Sequence, residues 1–483
     1  MTTNTQTTSQ PATLGLLALT AFVVSSMIGS GIFSLPQNIA VGAGPGALLV
    51  SWLITTVGML GLTGVFQLLA RRQPRITGGV YGYARAGFGH FIGFLCAWGY
   101  WLSAFLGNVS YLIILMSATS YFFPQAALGN GNTPAAIVIA SILLWGVHIL
   151  VLSGIRTAVR INTLATLAKI LPLIIFILCV LLAFNADTFN TAFWGNPRLG
   201  NILDQVKSTM LVTVWLFIGI ESASVYSSRA TRTSDVGCAT LLGFLLTLTL
   251  LMAVSLLSMG IFTQSQLATL KNPSMVGILE TIIGPWGRVI ILAGLILSVM
   301  GSLLTWTLLA AEIPFLTARD GVFPALFTRT NAQGTPTAAL WLTNLTVQAF
   351  LILSYIAQNA YLTMLKLATS TILIPYLLCA TYAWLIAYRG EGYHTGEPRG
   401  RDKGVALLGI IYGIWLIYAA DPSYLLLTSL LYASGIFVFI WSRHEHHAVV
   451  FHRIEWFIAL SITIAAIVCT TWLALGKIDL AKL

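Results

Sequence analysis

Three kinds of residue in this chain could do chemistry, and all of them sit inside long apolar runs. The first kind is ionisable. Lys169 in "LATLAKILPL" and Glu221 in "FIGIES" lie deep in their runs, where an ionisable group is costly enough to mark a functional candidate. Glu312 and Lys366 lie close enough to a run's end to snorkel, and His148 reads as a hydrogen-bonded packing residue. The second kind is backbone. "SSMIGSGIFSLPQN", from Ser25 to Asn38, sets two glycines around Ser30 and adds Pro36, which should mark the outer end of that helix. Unwinding there frees N–H groups at the start of a half-helix, where the dipole favours a carboxylate. Gly31 permits close approach of a ligand, and the Ser30 hydroxyl adds a donor. Unwinding around Ile218, Gly219 and Ile220 would instead free carbonyls, which suit an ammonium group. The pair could hold the head group of an α-amino acid, whereas the "GSG" alone could equally serve close helix packing. The third kind is aromatic. Trp215 lies one turn before Gly219, Trp306 sits mid-run in "GSLLTWTLLAAE", and Tyr100 and Asn108 share "YWLSAFLGN". Indole and phenol faces hold cations at about 2 kcal/mol or more when desolvated.

The elements that must position these residues are membrane helices. The chain has 483 residues, of which 57% are hydrophobic and 8% charged, with a mean hydropathy of +0.88. Apolar runs of bilayer length recur throughout, at about 14–38, 44–69, 90–122, 134–153, 161–184, 207–228, 236–262, 286–317, 336–356, 361–388, 404–420, 423–441 and 454–475. The fold class is therefore an all-α polytopic membrane protein. The net charge of +10 does not indicate nucleic acid. With a cytoplasmic N-terminus, sixteen Lys and Arg fall on inside connections and six on outside ones, as the positive-inside rule requires. Residues 1–13 are polar, read as a disordered tail, and lack the basic start of a secretory signal. The five cysteines have no metal-ligand or disulfide spacing. The His444, His446, His447 and His452 run reads as a solvated loop, and no metal or cofactor is expected. The breaks in the first and sixth runs occupy corresponding places in two five-span halves, the pattern of inverted repeats around a midplane site.

Several long motifs also resemble a known family. "MIGSGIFSLPQN", "FIGIESASVYSSRA", "GSLLTWTLLAAEIPFLTARDGVFP" and "LIPYLL" resemble those of the basic amino acid/polyamine antiporters of the amino acid–polyamine–organocation superfamily, over about residues 15–387. The resemblance implies a leucine-transporter-type fold, with inverted repeats at 14–184 and 205–390 and two to three further helices over 404–475, twelve to thirteen spans in all. It implies that Ser30 and Gly31 bind a carboxylate, and that carbonyls of Met27 and Ile218 accept from an α-amino group. It further implies that Trp215 is a gating aromatic, that Trp306 stacks on a distal guanidinium and that Asn108 senses it. Tyr100 would be a gate and Glu221 a proton-sensitive acid. Ala104 stands where the arginine/agmatine branch carries a cysteine, and Lys169 matches a lysine that replaces sodium in proton-coupled relatives. The thirteenth span is similar to the arginine/ornithine branch.

The resulting expectation is an inner (plasma) membrane antiporter exchanging a cationic amino acid, arginine, for ornithine. Arginine/agmatine, lysine/cadaverine and histidine/histamine pairs stay open, as does a proton-coupled symporter using Lys169. A channel lacks its charge ring or repeated filter, and a membrane enzyme lacks paired acids or a metal cluster. The last three spans could form a homodimer surface or face lipid.

Overall fold

A computed structural model of the chain describes residues 15–76, 78–153, 155–221 and 233–480. The tail expected over 1–13 and the part of the sixth run beyond Glu221 lie outside the described residues. Because a backbone in hydrocarbon must satisfy its own hydrogen bonds, the apolar runs become helices. The first run is two helices, α1 (Leu16–Met27) and α2 (Gly31–Ala40), bent by 45° at the break. Next come α3 (Pro45–Arg72), the short α4 (Gly79–Phe88), α5 (His90–Thr119), α6 (Pro134–Leu152) and α7 (Ile155–Leu182). The second half holds α8 (Ile202–Trp215), α9 (Thr233–Ser258), α10 (Ser274–Ile283), α11 (Pro285–Arg319), α12 (Thr337–Leu353) and α13 (Ala360–Arg389). Three helices close the chain: α14 (Gly400–Ala419), α15 (Pro422–Glu445) and α16 (Arg453–Ala474).

Among the described residues, ten helices are long and apolar enough to cross a membrane, and the bent α1–α2 pair makes an eleventh. The fifth and sixth expected spans, carried by α7 and α8, adjoin residue 154 and residues 222–232, which are not described.

The loops sort into two sets by their contacts, as alternating crossings demand. On one face Gly46 N–H donates to the Phe193 carbonyl (2.7 Å), Lys271 Nζ to the Ser120 hydroxyl (2.9 Å) and Asn132 Nδ2 to the Ala357 carbonyl (2.8 Å). On the other, Arg71 pairs with Asp402 (2.8 Å), Arg72 with Glu397, and Arg85 with Asp320 (2.6 Å). Asn331 Nδ2 donates to the Leu152 carbonyl (2.9 Å) on that same face. The ion pairs join the basic ends of α3 and α4 to the residue after α11, the loop after α13 and the first turn of α14.

The bundle is built around α5, of whose most apolar stretch 94% is buried, against 17% for α16. A continuous helix sealed on all sides is a rigid wall for a site, whereas α16 presents most of its surface outward. One expectation fails here. Pro36 lies inside α2, which continues to Ala40. The ring removes one backbone bond, yet the next residue is held from outside the helix, since Gln37 N–H donates to the Ser274 hydroxyl (3.2 Å).

Candidate functional site at two helix breaks

α1 stops at Met27 because Ile28 turns to extended backbone, and α2 restarts at Gly31. The exposed end of α1 would leave its last carbonyls unpaired in a buried setting. Lys169 of α7, itself 2% exposed, meets that need: its Nζ donates to the carbonyls of Ser25 (2.8 Å) and Ile28 (2.6 Å). The Ser298 hydroxyl of α11 reaches the Gly29 carbonyl at 3.5 Å. The Ser30 hydroxyl pairs with the Tyr361 hydroxyl of α13 at 3.3 Å.

At the second break α8 ends on Trp215 and the chain turns through 216–221. Gly219 has φ +103°, a conformation that side-chain-bearing residues rarely adopt, and a Cβ there would sit 2.9 Å from the Ser26 carbonyl oxygen. The breaks are in direct contact, since the Ser26 hydroxyl donates to the Gly219 carbonyl (3.1 Å). Glu221 is 3% exposed and gathers three donors. The Tyr100 hydroxyl of α5 donates to Oε1 (2.6 Å); the Tyr376 hydroxyl of α13 (3.0 Å) and Gly219 N–H (3.2 Å) donate to Oε2.

A cavity lies where the two breaks face α5 and α11. Met27, Gly31, Trp215, Ile218 and Trp306, all expected from sequence, line it. No charged side chain is among its lining residues. It is narrow, with about 10 Å³ for water centres, room for about one water. Trp215 closes over the first break: a Cβ on Gly31 would lie 2.9 Å from the indole Cδ1 and 2.6 Å from Leu216 Cδ2. The tilted rings of Tyr111 and Trp215 are 6.1 Å apart, and those of Tyr100 and Trp306 are 6.5 Å apart.

Two expected residues stand just behind this wall. Ser30 turns its hydroxyl to Tyr361, and Asn108 donates through Nδ2 to the Thr307 hydroxyl (3.3 Å), beside Trp306. The sequence reading missed the lining residues Ser103, Gly107 and Tyr111. Their spacing of four, with Tyr100 three residues before Ser103, marks one face of α5 and could have found them. It also missed Tyr376, which stands in the quoted "LIPYLL" directly after Pro375. His148 is a packing residue as expected, its Nδ1 within 2.9 Å of Asn344 Nδ2. His444, His446, His447 and His452 are exposed.

Comparison with known proteins agrees with this architecture. The family model for amino acid permeases matches residues 14–467. The chain is 50% identical over 484 residues to the arginine/ornithine antiporter of Pseudomonas aeruginosa, covering 98% of this chain and 100% of that protein. It is 43% identical over 443 residues to the arginine/agmatine antiporter of Chlamydia pneumoniae, covering 89% and 90% of the two chains. With its helical membrane bundle and a match over nearly its whole length, the chain belongs to the amino acid permease family.

Proposed function

We propose that this protein is an antiporter that exchanges arginine for ornithine by alternating access, in the plasma (inner) membrane of the cell and with a cytoplasmic N-terminus. The observation that carries the reading is the uncharged, aromatic-lined cavity between two broken helices. Such a site can take a zwitterionic head group on backbone and a cationic tail on indole faces. The substrate pair follows that of the relatives, and chain-long identity to the arginine/ornithine antiporter supports ornithine as the counter-substrate.

In this reading the N–H groups at Ser30 and Gly31 bind the substrate carboxylate, and carbonyls of Met27 and Ile218 accept from its α-amino group. Trp215 packs on the aliphatic stem, and because it closes the cavity it must swing for substrate to enter or leave. Trp306 stacks on the distal guanidinium, with Asn108 behind it. Tyr100 and Glu221 gate, and Lys169 holds the first break in the place where a sodium ion would otherwise sit. The segments 14–184 and 205–390 act as inverted repeats, with 404–475 outside them. Two monocationic substrates make the exchange electroneutral.

Vesicles containing the purified protein test this directly. Loaded with ornithine, they take up labelled arginine well above the level of empty vesicles. Equal uptake into both overturns exchange, and uptake into empty vesicles driven by a pH gradient replaces it with proton symport. Faster uptake into agmatine-loaded vesicles reassigns the counter-substrate. Trp306→Leu weakens arginine binding by about 2 kcal/mol while leaving thermal stability near wild type.

A further inference from the structure

A second cavity of about 580 Å³ lies away from the breaks, where the start of α5 and of α16 meet the end of α15. Its volume falls within the range of ligand sites. The interior is apolar, walled by Ile92 of α5, Leu378 of α13, Phe439 of α15 and Ile458 of α16. Cationic and titratable groups gather at the same place: Arg443, His90 and His452, with Glu455 the one carboxyl group among the lining residues. Glu455 is engaged, accepting from His452 N–H at 2.7 Å. Arg443 is braced by its own loop, its Nε donating to the Val449 carbonyl at 2.9 Å.

The cavity's position decides what could fill it. The end of α15 joins the loop after α11, since Ala325 N–H donates to Glu445 Oε2 at 2.9 Å. This is the face on which Arg71, Arg72 and Arg85 make their ion pairs. Beside the cavity, Ile454 and Phe457 of α16 are 75% and 74% exposed, as side chains facing hydrocarbon would be. The site therefore spans the boundary between a basic surface and the bilayer interior. A free inorganic anion would leave the apolar walls unmatched, and a zwitterionic lipid would bring its own cation beside Arg443, His90 and His452.

We propose that this cavity binds an anionic phospholipid of the adjacent leaflet, its phosphate on Arg443 and an acyl chain along Ile92, Leu378 and Ile458. Arginine is suited to phosphate, and basic pockets between membrane helices on the basic face hold anionic headgroups. The lipid fastens α16, the least buried of the ten membrane-length helices among the described residues, to α5 and α15.

The test uses the full chain in neutral detergent, followed by thermal unfolding during titration with phosphatidylglycerol, phosphatidylcholine or inorganic phosphate. Phosphatidylglycerol raises the unfolding temperature by mass action, and the other two do not. Arg443→Gln and Ile458→Trp each raise the half-saturating phosphatidylglycerol about tenfold, while Arg443→Lys keeps most of the response. Should Arg443→Gln fail to fold, Ile458→Trp, which fills the cavity and keeps the charge, decides the matter. No shift with phosphatidylglycerol, an equal shift with phosphatidylcholine, a shift with phosphate alone, or a wild-type response from Ile458→Trp overturns the proposal.

Discussion

At the first break a buried lysine amino group donates to backbone carbonyls; at the second a buried carboxyl group accepts from Gly219 N–H and two tyrosine hydroxyls. The two are stitched in opposite senses. Lys169 occupies the Ser25 and Ile28 carbonyls at the end of α1, which leaves the first break the Met27 carbonyl and the N–H groups at the start of α2. Glu221 occupies a donor at the second break, so what that turn can offer is carbonyls. In the proposed function the N–H groups of the first break would take the carboxylate, and the Met27 carbonyl with those of the second break the α-amino group, with no charged side chain among the cavity's lining residues. The opposite stitching also explains why both ionisable residues are buried: each supports a backbone that could not otherwise stay unwound in hydrocarbon.

The largest test of this contrast is Lys169→Met. It takes a charged donor away from the Ser25 and Ile28 carbonyls, at about 1–3 kcal/mol each. Unfolding temperature in detergent should fall further than for any other variant discussed here, with exchange lost. A variant as stable as wild type breaks the comparison. Next is the glycine at each break. Gly219→Ala strains the backbone at φ +103° and crowds Ser26, so stability and exchange fall together. The nearest atoms to a Cβ at Gly31 belong to the side chains of Leu216 and Trp215, which can shift, so the cost of Gly31→Ala falls on the cavity rather than on the backbone. Arginine uptake should drop about tenfold at an unfolding temperature close to wild type. If both substitutions affect stability alike, the breaks are not distinct in kind.

Smaller is Glu221→Gln, which keeps acceptor capacity and can serve some but not all of the three donors. A loss of about 1 kcal/mol is expected, and a double-mutant cycle with Tyr376→Phe should show coupling of about 1 kcal/mol. Strict additivity would mean that the tyrosine does not support the break through Glu221.

The smallest effect sets a partly buried loop pair beside these fully buried ones. Hydrogen bonds from Arg72, then from His394 N–H, hold the Glu397 carboxyl at a pKa of about 2, below its ordinary 4.5. A folded-state pKa below the unfolded one contributes stability that is complete above about 4.5 and is lost as pH falls toward about 2. Wild type should therefore be slightly more stable than Glu397→Gln at pH 6, and the gap should narrow below about pH 4.5 and close as the pH approaches about 2. A pH-independent gap would show that the Arg72 pairing contributes nothing through charge. The effect is small because the Glu397 carboxyl is 30% exposed, so water screens the pair.

Much of the site could be read from residue types alone. Lys169 and Glu221 stood out because ionisable groups are rare in apolar runs, and the breaks because glycines and a serine interrupt them. Tyr361, Tyr376 and Ser298 did not stand out, because hydroxyl-bearing residues are common in membrane helices and need a partner to gain meaning. Pro36 was misread for a related reason: a proline ends a helix unless something else holds the neighbouring backbone, and here Ser274 does so from 237 residues away. Ser103, Gly107 and Tyr111 had a periodic signal that only mattered once one face of α5 was known to line a cavity.

By itself, then, the sequence determined the class of molecule, the order of its helices and the places where two of them must break. Hydropathy, charge asymmetry and glycine are local or additive properties, and they carry through to the fold unchanged. The tertiary structure decided which ionisable group supports which break, that Ser26 and Gly219 join the breaks directly, and that Trp215 closes the cavity over Gly31. Those facts rest on helices far apart in the chain meeting at hydrogen-bonding distance, and no linear pattern records such a meeting.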